Sequence, residues 1–220
     1  MKACVIIPAY NESKEISGLI RAIKTKVPDV LVVDDGSTDS TAQIASDAGA
    51  IAIINIVNQG KGVCLKQGFK YALANNFDAV ITMDGDGQHL PEDLPAFMRA
   101  AENSASAIFV GNRMIETKNM PRLRIITNKF MSWVISILCK QKIPDTQCRF
   151  RLIKRVILEK VELKTKKFEA ETEILINASR LGYKIESVPI KTVYRGEKSQ
   201  INPFFDTLRF LKFIIRSGSK

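Results

Sequence analysis

The chain has 220 residues, 45% of them hydrophobic and 25% charged, which excludes a disordered or fibrous polymer and leaves enough length for one domain with its own core. Its four cysteines, Cys4, Cys64, Cys139 and Cys148, form no CxxC pair and meet no histidine cluster, so reduced and mostly buried thiols are expected rather than zinc or disulfides. The net charge of +10 is uneven: residues 1–110 carry 9 Lys+Arg against 13 Asp+Glu, net −4, and residues 111–220 the remaining 24 against 10, net +14, so the second half faces an anionic partner.

The β-branched run Ala3–Pro8 reads as a buried strand. Asn11 or Ser13 is placed to cap a helix running to about Lys26, with Ile16, Leu19, Ile20 and Ile23 on one face. Val30–Asp34 is a second strand, ended by the Asp35-Gly36 turn signal, and Thr38 or Asp39 is placed to cap a helix that stops before Gly49. A strand over Ile51–Ile56, a helix from Lys61 to about Asn75 and a strand over Ala79–Met83 follow. Further on, the pattern predicts a helix over Pro91–Glu102, a strand over Ser106–Val110, a helix from Arg122 through Leu138, and a loop around Pro144-Asp145. Helices over Lys154–Glu159 and Glu169–Leu181, two short strands at Lys184–Val188 and Lys191–Tyr194 placed to pair, and a last helix over Phe204–Ile215 complete the chain.

Strands alternating with helices predict an α/β domain with a mostly parallel sheet covered on both faces. Ligands of such sheets sit at the carboxyl ends of the strands. The unusual polar residues stand there: Tyr10 to Glu12 after the first strand, Asp34 and Asp35 at the end of the second, Asp84 and Asp86 after the fourth. Two carboxylates one residue apart repel unless a cation lies between them, and their oxygen donors suit Mg²⁺ or Mn²⁺. Gly85 and Gly87 allow a ligand to approach closely. One acid of the Asp34-Asp35 pair is a candidate for a base or ribose contact, and Lys61, in Asn58–Gly62, for a phosphate. That loop matches neither GxxxxGK[ST] nor GxGxxG, which argues against a P-loop or a dinucleotide site. His89, the only histidine, is read as structural. A receiver domain also carries paired acids, but it is about half this length and has no use for the Asp84-x-Asp86 spacing. No zinc-finger or RNP signature accompanies the basic half, which argues against nucleic acid.

Taken together, Ile7–Glu12, Val33–Asp39, Gly60–Gly62 and Met83–Gln88 resemble the family 2 glycosyltransferases in order and spacing. The resemblance implies the GT-A, or nucleotide-diphospho-sugar transferase, fold as a single domain, with residues 1–110 as the donor and metal half and 111–220 as the acceptor half. It implies that Pro8, Tyr10 and Glu12 with Asp34 or Asp35 hold the nucleotide, that Asp84 and Asp86 face metal and diphosphate, and that Gln88 is a further metal ligand. Gly111–Arg113, Asp145–Cys148, Phe168–Glu173, Val188–Ile190 and Tyr194–Ser199 are similar to the branch that moves glucose, mannose or related sugars onto dolichyl or undecaprenyl phosphate. Two positions depart from that branch: Arg149 stands where it has glycine, and Gln200 where it often has a basic residue.

The expected reaction is inverting transfer of a hexose from a UDP-glucose or GDP-mannose type donor. Arg113, Arg124 and Arg195 are candidate phosphate contacts, because guanidinium matches phosphate geometry. If the acceptor is instead a soluble hydroxyl compound, Asp145 or Glu171 would have to take the proton. A catalytically inactive nucleotide-sugar binder is the distant alternative. Met1–Pro8 shows no cleavage signal, and Phe130–Cys139 is half the about 20 residues that cross a bilayer, so a cytoplasmic protein, peripheral on the membrane, is expected. Arg122–Cys139 and Phe204–Arg216 mix bases with large apolar residues and are candidates to lie in the interface; a second subunit or a separate membrane anchor protein is the other occupant considered.

Overall fold

The computed structural model describes residues 1–118, 120–165 and 169–191. The first apolar run forms β1 (Ala3–Ala9), followed by α1 (Ile16–Lys24), β2 (Asp29–Asp34), α2 (Thr41–Asp47), β3 (Ile51–Ile54), α3 (Lys61–Ala74) and β4 (Ala79–Thr82). A short 3-10 turn over Pro91–Asp93 then leads into α4 (Leu94–Asn103). The second half adds β5 (Ile108–Asn112), α5 (Arg122–Cys139), β6 (Arg151–Lys154), α6 (Arg155–Lys160), α7 (Glu169–Arg180) and β7 (Ile185–Pro189).

The seven strands lie in the order β3-β2-β1-β4-β6-β5-β7. All pairings are parallel except those of β6, which runs antiparallel to both β4 and β5. The carboxyl ends of β1, β2, β4 and β5 and the amino end of β6 therefore share one edge. Val5, Ile6, Ile7, Leu31, Val32, Val33, Val80 and Ile81 are completely buried, as expected for strands covered on both faces. Helices cover the sheet in two groups, α1 with α2 and α3 with α6, α7 and α5. Gly68 lets α3 lie almost on β1, since a Cβ there would sit 2.6 Å from Ile6 Cγ2. Pro8 interrupts nothing, because the β1–β4 ladder ends at Ile6 and Thr82.

Two expectations are corrected. Neither Asn11 nor Ser13 caps α1: no side-chain cap is present, and the helix opens on the carbonyl of Glu12, which accepts the N–H groups of Glu15 and Ile16 at 3.1 Å. Strand β6 falls where the sequence showed only the end of a loop. The strand at 185–189 pairs parallel with β5. Its expected partner falls, apart from Lys191, outside the described residues, as do Arg195, Gln200 and the terminal helix.

Candidate active site

The loops after β1 and β2 are stitched together before any ligand is considered. Asn11, in a left-handed conformation (φ 56°), donates its N–H to the Ser37 hydroxyl at 2.9 Å and accepts the Thr38 N–H at 2.8 Å. The Glu12 N–H donates to the Thr41 hydroxyl at 2.8 Å. Asp39 takes the Thr41 N–H at 3.0 Å, but the N-cap of α2 is Ser40, without a side-chain cap bond, so neither Thr38 nor Asp39 caps this helix as expected. Tyr10 stands on the rim, 45% exposed.

The two acids at the end of β2 are both buried but differently engaged. Asp35 accepts from Asn55 Nδ2 at 3.1 Å, the Gln59 N–H at 2.9 Å and the Gly60 N–H at 2.8 Å. Both of its oxygens thus shape the loop that leads into α3. Asp34 accepts the Ser37 N–H and hydroxyl on Oδ1 alone. Gly60, at φ +96°, turns the chain so that Lys61 opens α3.

Lys61 lies on Asp84, to which it donates through Nζ, and its Nζ is also 3.1 Å from Glu171 Oε1, without an aligned hydrogen bond. Arg149 faces the same two acids from the other side, Nη1 at 3.3 Å from Asp84 Oδ2 and Nε at 3.6 Å from Glu171 Oε2. Burial pushes the Asp84 carboxyl up, but Lys61 and then Arg149 outweigh it and hold it well below the ordinary carboxylate range. Asp86 goes the other way: burial, then the charge of Asp84, raises it. It has no ion-pair partner among the described residues; its Oδ1 accepts the Gln88 N–H at 3.0 Å. Gly85 lies against the Glu12 side chain, whose Cγ would be 3.3 Å from a Cβ there. His89 is buried on Phe150, ring centroids 5.4 Å apart, and burial lowers it to about 4 although Asp84 pulls it up, so it is neutral at pH 7.

A half-buried acid one residue from a second carboxylate, with no ion-pair partner among the described residues, is a place where a cation fits. Asp84, Asp86 and the side-chain oxygen of Gln88 are hard donors. No cluster of three or more acidic, His or Cys ligands occurs among the described residues. The two carboxylates suit Mg²⁺ or Mn²⁺, which commonly takes one or two and completes its shell with water and substrate phosphates.

On the other side of the mouth, Arg113 and Asp145 form a buried fork: Nε to Oδ2 at 2.8 Å, Nη2 to Oδ1 at 2.9 Å, and the Arg113 N–H to Oδ2 at 3.0 Å. Asp145 is fully buried with both oxygens on Arg113, a setting that orients a guanidinium rather than one that collects a proton from an acceptor. The segment after it is tied to α5 by the Thr146 N–H, which donates to the Ser132 hydroxyl at 2.9 Å. Arg151, which no motif singles out, is fully buried and donates to the carbonyls of Thr146, Cys148 and Glu171. It thereby fixes Glu171, in the first turn of α7, to the segment that carries Arg149. Arg124 is half-buried in the first turn of α5. Arg195 lies outside the described residues.

The mostly parallel seven-stranded sheet, with its acid pair after β4, has the GT-A, or nucleotide-diphospho-sugar transferase, fold. The structure of glucosyl-3-phosphoglycerate synthase from Mycobacterium tuberculosis, in complex with Mn²⁺, UDP and glucosyl-3-phosphoglycerate, superposes with a TM-score of 0.72 over 94% of this chain and 74% of that one, at 20% identity. The sequence model of Glycosyl transferase family 2 matches residues 4–162, and the chain belongs to that family. Its relatives include the UDP-N-acetylglucosamine–dolichyl-phosphate N-acetylglucosaminyltransferase of Methanococcus voltae, 31% identical over 86% of this chain and 85% of that one. They also include the undecaprenyl-phosphate mannosyltransferase of Micrococcus luteus, 29% identical over 89% and 85%. The polyprenyl-phosphate branch of the family is thus where this glycosyltransferase falls.

Proposed function

We propose that the protein transfers a hexose, with inversion, from a nucleotide diphosphate sugar of the UDP-glucose or GDP-mannose type to a polyprenyl or dolichyl phosphate at the cytoplasmic membrane surface, and that it depends on Mg²⁺ or Mn²⁺. The observation that carries this reading is the meeting of the two halves at Asp84, where Lys61 comes from the donor half and Arg149 and Glu171 from the acceptor half. The named relatives act on lipid phosphates, and the solved neighbour binds Mn²⁺ and UDP.

In this reading Asp34 rather than Asp35 contacts the nucleotide, because Asp35 has both oxygens on its own loop, and Pro8, Tyr10, Glu12 and Gly85 form the surrounding wall. Asp84, Asp86 and Gln88 hold the ion, which supplies charge stabilisation to the departing diphosphate. Lys61 is the protein's own cation beside that charge. A phosphate acceptor is already anionic near pH 7, so positioning by Arg113, oriented by Asp145, and by Arg195 replaces a strong general base. The lipid would be met by α5. Leu123, Ile126, Phe130, Trp133 and Ile137 recur at spacings of three and four and are all exposed, with exposed Arg122, Lys129 and Lys140 along the same helix and just past its end. No helix among the described residues is long and apolar enough to cross a membrane.

The test is transfer of labelled sugar from UDP-glucose and GDP-mannose to a short polyprenyl phosphate, with Mn²⁺ and with EDTA. Product that needs metal and disappears in Asp86→Ala supports the reading. Nucleotide-sugar binding with no lipid product, but with product on a soluble hydroxyl or phosphate acceptor, would overturn the acceptor part alone.

A further inference from the structure

Strand β6 brings to the acid pair a residue that the chain does not otherwise place there. The antiparallel ladder pairs Thr82 with Arg151, so two residues onward along β4 and two back before β6 set Asp84 opposite Arg149. The Thr82 hydroxyl donates to the Arg149 carbonyl at 3.0 Å and fixes this register at the mouth of the sheet. Asp84 and Glu171 each turn one oxygen to Lys61 and the other to Arg149. The side chain of Arg149 is 28% exposed and that of Lys61 10%, so Arg149 is the more open of the two cations.

We propose that Arg149 sets how the site fills: its guanidinium on Asp84 weakens the acid pair for a bare divalent ion, so that the ion is held only together with a nucleoside diphosphate. This rests on the nucleotide-sugar reading above. Both oxygens of Asp84 already face a positive charge, and a divalent ion at the same carboxylate meets the repulsion of both. Asp86 is the remaining acid, and its Oδ1 is taken by the Gln88 N–H. One carboxylate and an amide oxygen make a poor site for a bare ion. A diphosphate changes the balance twice over. Its oxygens complete the ion's shell, and its negative charge complements Lys61 and Arg149. Ion and diphosphate then bind cooperatively, and the coupling is reciprocal. A glycine at position 149 would leave Asp84 with Lys61 alone and an acid pair open to the ion by itself.

The experiment measures Mn²⁺ binding to the intact protein by the electron paramagnetic resonance signal of free Mn²⁺, without nucleotide and with UDP or GDP, for wild type, Arg149→Gln and Arg149→Lys. Matched circular dichroism melts establish that the variants are folded. The expected result is weak Mn²⁺ binding by wild type alone, tightened at least tenfold by the nucleoside diphosphate. Arg149→Gln binds bare Mn²⁺ at least tenfold more tightly than wild type and loses most of the coupling, whereas Arg149→Lys, which keeps the charge, behaves as wild type. Equal bare Mn²⁺ affinities in wild type and Arg149→Gln, with nucleotide binding intact, overturn this inference and leave the transferase reading standing. No Mn²⁺ binding by any of the three proteins with either nucleotide overturns that reading and the inference with it.

Discussion

At Gly111 a single methyl group decides whether β5 can close against the segment that leads into β6. A Cβ there would lie 2.7 Å from Ile190 Cδ1, 2.8 Å from Cys148 Sγ and 3.1 Å from the carbonyl oxygen of Phe150, and the last of these belongs to backbone that cannot swing aside. Overpacking of this kind costs about 1–3 kcal/mol. Gly111→Ala should therefore lower the urea midpoint while leaving the slope of the transition unchanged. Asp39 offers a prediction in pH. The Thr41 hydroxyl, against the opposing effect of burial and helped by Ser13 and the Thr41 N–H, holds its carboxyl down at about 2. A carboxyl lowered on folding stabilises above its unfolded value, near 3.9, and that contribution is lost as pH falls towards about 2. The stability advantage of wild type over Asp39→Ala, read from thermal melts, should accordingly shrink across that window.

Among the elements, α5 is the one whose packing leaves most unexplained by the interior. Asn128, Ser132, Ile135 and Cys139 face inward, while the stripe from Leu123 to Ile137 faces out, with the Phe130 and Trp133 rings 6.2 Å apart. Replacing Trp133 and Phe130 with serine should cost little stability, because neither is buried, yet should sharply reduce sedimentation with anionic vesicles; a loss of dimer in light scattering, with vesicle binding unchanged, would give the stripe to a second subunit instead. The bounds of α5 were legible in the sequence because an apolar pattern continued over many turns. β6 was not, because Arg151–Lys154 is four residues long with a base at each end and reads as solvated. Its buried guanidinium is held by three carbonyls that only the folded chain brings together. The missing strand also hid the position of Arg149, since nothing local places residue 149 beside residue 84. The same limit applied to the capping residues: Asn11 has the composition of a cap, but its carboxamide oxygen is drawn to Thr38 across the loops, and its backbone N–H to Ser37. Asp84 and Asp86, by contrast, follow a β4 that is apolar and buried throughout, and Lys61 opens the fourteen-residue α3, so their places on the sheet edge could be read from the pattern.

For the molecule as a whole, the antiparallel β6 ties the later part of the chain into the middle of the sheet. The first four strands make a parallel unit, β3-β2-β1-β4, from consecutive segments, and the remaining edge of β4 is filled only by Arg151–Lys154. During synthesis Val80 and Ile81 therefore leave the ribosome on an uncovered edge and must wait for a segment made much later. Exposed β-branched edges pair with whatever strand is at hand, and long-range closure is slow. A chain ending at Val110 should consequently form soluble aggregates, seen as early elution in gel filtration, where the full chain elutes as a defined species. A nascent chain stalled at that length should draw chaperones until β6 has been made. The strand that sets a guanidinium beside Asp84 is thus also the one that shields the sheet, and the first four strands become safe from their neighbours only when residues 151–154 arrive.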